Sequence, residues 1–126
     1  MMMLHSIMQI PRAEMEARGL PITMSLLRFF KFISVEIFPP GGHLPTRELV
    51  VDLSGKAGFT TERIQSLEQH YAKTLDLWAA ALEARRDEAI ALQSEEVYDR
   101  YMKYLTGCAD LFRNRYTDVC QFTLTK

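Results

Sequence analysis

Residues 1–12, MMMLHSIMQIPR, decide the fold. Met3, Leu4, Ile7, Met8 and Ile10 make a nearly continuous apolar run that Pro11 ends, the pattern of a parallel strand covered on both faces. Such a strand needs neighbours on both sides. The segment does not read as a signal peptide, because no basic stretch precedes the apolar run and no small-residue cleavage site follows it. An initiator methionine set directly on a strand of this kind points to a truncated chain.

Working outward, Arg12 to Arg18 reads as a short polar helical turn stopped by Gly19-Leu20-Pro21. Met24 to Ile37 has Leu27, Phe30, Lys31, Ser34 and Ile37 at helical spacing, and Phe29, Phe32 and Ile33 make that helix apolar nearly all round. Such a helix is either core or binding surface. It closes at Pro39-Pro40-Gly41-Gly42, through which no helix continues. Thr46 is the expected N-cap of a helix from Arg47 to Lys56, with Leu49, Val50 and Leu53 inward and Gly58 just past its end.

Phe59 to Leu67 then reads as a short strand of mixed polarity. From Thr74 the period turns helical, with Leu75, Trp78, Ala79, Leu82 and Ala89 inward and Glu83, Arg85, Arg86 and Asp87 outward. Ser94 opens the last helix, which runs to about Phe112; its partner three residues on is Val97, not a glutamate, so the cap is partial. The tail TDVCQFTLTK sets Cys120, Phe122 and Leu124 against Gln121, Thr123 and Thr125, a strand with two unequal faces. No repeat, low-complexity run or composition shift divides the chain, so residues 1–126 read as one domain.

Composition narrows the function. With 126 residues, 48% hydrophobic and 25% charged, the chain can bury a real core and does not read as disordered. A net charge of -1 offers no global attraction to phosphate backbones, which argues against a nucleic-acid partner. Cys108 and Cys120 fit neither a metal-type spacing nor a disulfide framework, so free thiols in a reducing cytoplasm are expected. The longest apolar run, Met24 to Phe38, is too short to span a bilayer and is broken by Arg28, Lys31 and Glu36. Contact with a membrane surface stays open for that same segment.

Several residues carry chemistry. His5 is read near the carboxyl end of the first strand, where open α/β sheets collect ligands, and also as a core histidine bonded to backbone. His43, in a Gly-Pro loop, is expected to be solvated. His70 and Tyr71 emerge near a helix N-terminus, where anions are favoured, although such a pair is more often a capping or packing feature than a site. Tyr104, Cys108 and Phe112 recur every fourth residue along one helix face, beside Tyr101, Leu105 and Leu111. Burying each large side chain is worth about 1.5–3 kcal/mol whether its neighbour is protein or a lipid tail, so this stripe is core or the wall of a cavity. The acidic and basic runs at 85–88 and 95–96 read as solvated faces. No G-x-G-x-x-G, Walker, G-x-S-x-G, C-x-x-C or H-E-x-x-H motif is present.

The runs MSLLRFFKFISVEIFPPGGHLPT (24–46), HYAKTLDLW (70–78), DEAIALQSEEVYDRYMKYLTGCADLF (87–112) and YTDVCQFTLTK (116–126), together with MLHSI (3–7), cover essentially the whole chain. They resemble the C-terminal half of the mycolic acid cyclopropane synthases and methyltransferases, within the cyclopropane-fatty-acyl-phospholipid synthase family. The doubled proline of IFPPGG departs from the family's usual IFPGG and touches only a loop.

The resemblance implies an α/β fold: the C-terminal portion of a class I S-adenosylmethionine-dependent methyltransferase. Its last parallel strand, Met3 to Gln9, would be followed by helical lipid-binding insertions and by the strands Phe59 to Leu67 and Thr117 to Thr125, the last lying antiparallel between the other two. It implies methylation of a cis double bond in a long acyl chain, giving a cyclopropane or a methyl-branched product. In the family it resembles, a bicarbonate near the reacting carbon takes the proton from the carbocation. His5 and Tyr71 match its ligands, and Leu75, Tyr104, Cys108 and Phe112 match the acyl tunnel. The glycine-rich loop, the ribose-binding acid and a bicarbonate-holding glutamate all precede the MLHSI strand in the family. The chain is therefore expected to be a partial domain that does not bind S-adenosylmethionine alone and that works on a long-chain acyl lipid, free or on a carrier, with a complementing N-terminal fragment. A non-catalytic acyl-chain or partner-binding module, or the product of a truncated gene, are the alternatives.

Overall fold

The C-terminal strand β3 (Thr117–Thr125) runs between β1 (Met2–Gln9) and β2 (Thr60–Ser66) and is antiparallel to both. The outer two strands are thus parallel to one another, the arrangement expected from the resemblance. The computed structural model describes residues 1–38 and 40–126, and they divide into two units built from interleaved segments. The first holds Met1–Pro21, His43–Glu68 and Arg115–Lys126; the second holds Ile22–Gly42 and Gln69–Asn114.

The first unit is organised by the alternation of β3. Asp118, Cys120, Phe122 and Leu124 point to one face of the sheet, where Met8 and Val50 complete a buried cluster with Leu4 and Phe59 at its margin. Register delivers those partners, since Leu4 stands opposite Phe122 and Met8 opposite Asp118. Val119 fills the other face and is likewise fully buried. A central strand covered on both faces must be apolar or satisfied at every position, and the first four residues of β3 are buried without exception.

Helix α1 (Arg12–Ala17) follows β1, as the polar run after Pro11 requires. Helix α3 (Arg47–Lys56) starts as expected at Thr46, whose hydroxyl accepts from the Leu49 N–H at 3.2 Å. Gly58, with φ of 86°, follows its C-terminus in the left-handed region that glycine adopts without strain. The inward face differs from expectation. Val50 is buried while Leu49 and Leu53 stay exposed.

The physical reason is a buried carboxylate. Asp118 has no exposed surface, and three donors satisfy it: an Arg47 guanidinium N–H and the Cys120 thiol at Oδ2, and the Ser66 hydroxyl at Oδ1, 2.9 Å away. The Arg47 Nε also donates to the Cys120 sulfur at 3.3 Å. Arg47 and Val50 lie one turn apart on α3, so tying Arg47 to Asp118 turns Val50 to the sheet and the Leu49–Leu53 stripe away from it. Burial opposes the charge of Arg47, but its bonds to Cys120 and Asp118 outweigh that and raise its pKa above the ordinary value. Burial pushes the Cys120 thiol up as well.

β1 is an edge of this sheet, and its first residues do not meet the expectation of burial on both faces. Met2 and Met3 are exposed, and burial begins only at Met8 and Ile10. β2 carries a bulge between Thr61 and Arg63, and Glu62, the residue left over, accepts from the Thr125 hydroxyl at 2.7 Å. At the turn into β3, Arg115 adopts φ of 67°, its carbonyl accepting from Arg18 at 3.0 Å and its guanidinium bonding Glu68 at 3.2 Å.

The second unit is helical. Helix α2 (Met24–Phe32) is capped by Thr23 and continues into a π-helical turn, Ile33–Ile37, where one long helix was expected. The expected stop at Pro39-Pro40-Gly41-Gly42 lies partly outside the described residues, at Pro39. Helix α4 (Glu68–Ala84) begins six residues before Thr74, because the polar first turn hides the helix from an apolar-period reading. It breaks at Arg85, whose guanidinium holds Glu88 through two bonds of 2.8 and 2.7 Å, and α5 (Arg86–Leu92) follows. Helix α6 (Glu95–Arg113) starts at Ser94, which accepts from the Val97 N–H at 3.1 Å as the sequence suggested.

Removing one member of a buried ion pair leaves an uncompensated charge and costs about 3–5 kcal/mol. Asp118→Ala is therefore expected to lower the unfolding free energy by about 3 kcal/mol in urea denaturation, whereas Leu53→Ala on the outer stripe of α3 should change it by under about 0.5 kcal/mol.

Candidate functional site

Of the residues singled out from the sequence, Tyr71, Leu75, Tyr104, Cys108 and Phe112 all lie in the second unit. Tyr71 stands in the first turn of α4, half-buried, with Leu75 one turn on and fully buried, and Trp78 half-exposed at the next turn. Trp78 thus departs from the inward position expected for it. The Tyr71 ring meets Phe112 of α6 edge-on with centroids 5.0 Å apart, and meets Trp78 edge-on at 6.2 Å. Along α6, Tyr104 takes the edge of Phe38 at 5.9 Å and of Tyr101 at 6.4 Å. The rings form one aromatic wall, with Cys108 buried between Tyr104 and Phe112.

Gln69 and Arg113 also tie α4 to α6. The Gln69 amide donates to the carbonyls of Phe112 and Arg113 at 3.5 and 3.3 Å, and Arg113 reaches Asp76 at 2.6 Å. Arg86 of α5 pairs with Glu95 at 2.6 Å and lies over the Tyr98 ring at 5.4 Å. Beside the wall, Trp78, Ala81, Leu82, Arg85, Glu88, Ala89 and Leu92 line an open groove of about 400 Å³.

Sequence reasoning missed how α2 seats on α6. Phe29 packs where the Gly107 side chain would be, since a Cβ there would fall 2.2 Å from the ring. Phe32 is buried, 5.8 Å from Phe29, under the Lys103 ammonium at 4.1 Å. A glycine inside a helix that otherwise favours bulky residues was the available signal.

The wall is apolar in charge as well as in shape. Burial, and then the neighbouring Cys108, Tyr71 and Tyr101, push the Tyr104 phenol up to about 12. Burial alone pushes the Cys108 thiol up to about 12. Both stay protonated near neutrality and can offer weak donors to a ligand without placing a charge beside it.

His5 lies in the first unit, at the middle of β1 and not at its carboxyl end. It is exposed, which removes the core-histidine reading. Its side chain shares the sheet face opposite α3, and register aligns it with Gln121 and, across β3, Gln65. Among the described residues neither the His5 ring nor the Tyr71 hydroxyl has a hydrogen-bond partner within the chain, so both keep a donor for a ligand. His43 and His70 are exposed, and the described residues contain no cluster suited to a metal ion.

Residues 1–122 match the model of the family described as mycolic acid cyclopropane synthetase. The chain belongs to that family. Its members are S-adenosylmethionine-dependent methyltransferases of mycolic acid biosynthesis. The chain is 61% identical over 125 residues to the cyclopropane mycolic acid synthase MmaA2 of Mycobacterium tuberculosis, covering 99% of itself and 43% of that protein. It is 59% identical to cyclopropane mycolic acid synthase 2 of Mycobacterium leprae, of which it covers 40%.

The solved structure of MmaA2 superposes with a TM-score of 0.94 over 98% of this chain and 43% of that one. CmaA1 complexed with SAH and CTAB superposes at 0.89 with 57% identity, again over 98% and 43%. This member of the cyclopropane synthetase family therefore spans less than half the length of its relatives, and its sheet and helices accord with the C-terminal portion of their fold.

Two outcomes test the wall. Both raised pKa values lie above those of the unfolded chain, so their stabilisation is complete below pH 9, where folded and unfolded chains hold the same protons. It is lost as pH rises from 9.0, the ordinary thiol value, towards 12. Stability measured in urea should fall across that window, and less so in Cys108→Ala and Tyr104→Phe. Gly107→Ala should cost about 1–3 kcal/mol through overpacking against Phe29, and Phe29→Ala in the same chain should cancel most of that loss.

Proposed function

We propose that the chain provides the acyl-binding wall and two anion ligands of a methyltransferase that methylates or cyclopropanates double bonds in long acyl chains of the mycolic acid type. The observation that carries this reading is the continuous wall of Tyr71, Phe112, Cys108, Tyr104 and Phe38, which is apolar, uncharged near neutrality and closed by a half-exposed Phe38. A long alkyl chain gains about 0.8 kcal/mol for each methylene laid on such a surface. The complex of CmaA1 with CTAB, a detergent, supports the same occupant.

His5 and Tyr71 take the role of bicarbonate ligands in this reading. Each has a donor free of intramolecular bonds, and each matches a position the family resemblance assigns. In the family the bicarbonate accepts the proton released at the methylated carbon. Leu75 stands one turn beyond Tyr71 on α4 and is fully buried.

S-adenosylmethionine supplies the methyl group in the family. The residues described here do not fit that cofactor: Gly19 follows α1, Gly41 and Gly42 follow the π-helical turn, Gly58 follows α3, and Gly55 and Gly107 lie inside helices. None follows a strand and opens a helix, where a backbone cradle for the cofactor forms. In this reading the cofactor is held by a complementing segment, and the isolated chain is inactive. The two free cysteines suit a reducing, cytoplasmic setting, and among the described residues no helix is long and apolar enough to cross a membrane.

Trp78, the single tryptophan, touches the wall through Tyr71 and reports on its occupancy. CTAB added below its micelle concentration should shift Trp78 emission to the blue saturably, and Cys108→Phe should weaken that binding on the order of tenfold, a change of about 1.4 kcal/mol. Calorimetry should show no saturable heat with S-adenosylmethionine. An unshifted tryptophan would remove the acyl wall, and a saturable heat at micromolar cofactor would remove the need for a complementing segment.

A further inference from the structure

Helix α2 and its π-helical turn have two unlike faces. Phe29, Phe32 and Glu36 point to α6, where Phe29 sits over Gly107, Phe32 under Lys103, and Glu36 pairs with Arg100 at 3.4 Å. The opposite stripe carries Met24, Leu27 and Val35, exposed by 66%, 48% and 65%, with Arg28 and Lys31 among them and also exposed. These positions recur at three to four residues and so share one side of the helix. Neither Arg28 nor Lys31 has an acidic partner among the described residues. The only acid of the segment, Glu36, is engaged on the far side, which leaves the outer face apolar and doubly positive.

We propose that this outer face of α2 is an interfacial docking surface for a bilayer rich in anionic lipid. The proposal rests on the acyl-chain reading above and names where the lipid is met. An interfacial helix needs large side chains to enter the acyl boundary and cations to meet the headgroups, and both stand here on one stripe. Charge decides between occupants. A second copy of this chain would bring the same two cations against themselves, whereas an anionic bilayer neutralises both. Phe38, at the end of the segment, is half-exposed and lies edge-on to Tyr104, so the docked face runs directly into the aromatic wall of the same unit.

Co-sedimentation of the full chain with vesicles of phosphatidylcholine, with and without phosphatidylglycerol, tests this separately from the wall, which Trp78 emission with CTAB reads. Binding is expected to the anionic vesicles and to weaken as salt rises. Arg28→Gln with Lys31→Gln should weaken it on the order of 25-fold, at about fivefold for each charge lost near a membrane surface. Leu27→Glu with Val35→Glu should abolish it while leaving the helix content unchanged by circular dichroism. The charge pair, being exposed, keeps the test decisive if the glutamate variant loses structure. No binding to anionic vesicles, or equal binding to neutral ones unaffected by the charge pair, overturns the proposal. A chain that is dimeric in solution and becomes monomeric in Leu27→Glu also overturns it, by giving the face to a second copy.

Discussion

A carboxylate with no exposed surface, Asp118, governs the first unit. It sits on the central strand, and its oxygens are reached from α3 by Arg47, from β2 by Ser66 and from its own strand by Cys120. An ion so placed is tolerated only with every lone pair engaged, and the engagement fixes where the other elements go. α3 must present Arg47, and therefore Val50, to the sheet. β2 must reach Ser66 in register opposite Cys120. The apolar cluster of Met8, Val50, Phe122 and Leu124 then closes around a geometry that the polar group has already chosen.

The second unit is held by a different kind of constraint, complementary shape. Gly107 makes room for Phe29, the ring of Phe32 lies under Lys103, and the edge-on rings of Tyr71, Phe112, Tyr104 and Phe38 continue that surface past Cys108. One helix, α6, thereby serves two neighbours: a seat for α2 on one side and an aromatic wall on another. The phenol and thiol of this wall stay neutral, so in the reading proposed above nothing charged must be stripped of water when an alkyl chain arrives.

Much of this could be read from residue order. The alternation of TDVCQFTLTK led to a strand of unequal faces, Thr46 and Ser94 marked helix starts that their hydroxyls do cap, and the four-residue recurrence of Tyr104, Cys108 and Phe112 led to a shared face. What stayed hidden depended on partners distant in sequence. α3 has two apolar stripes, and nothing local selects Val50 over Leu49 and Leu53. An aspartate in an apolar strand was the only hint of the pair with Arg47, 71 positions away. His5 was placed too near its strand's end because the strand continues through Gln9, in full register with β3.

By itself, then, the sequence determined the element types, most of their caps and the composition of the aromatic stripe, since each follows from backbone preference and periodicity within a few turns of chain. Only the tertiary structure decided which helix faces turn inward, that Asp118 is buried and paired, that Phe29 occupies the notch at Gly107, and that Tyr71 meets Phe112. Those outcomes rest on satisfying a buried charge and filling space between segments far apart in the chain. Pattern along one segment carries no information about either.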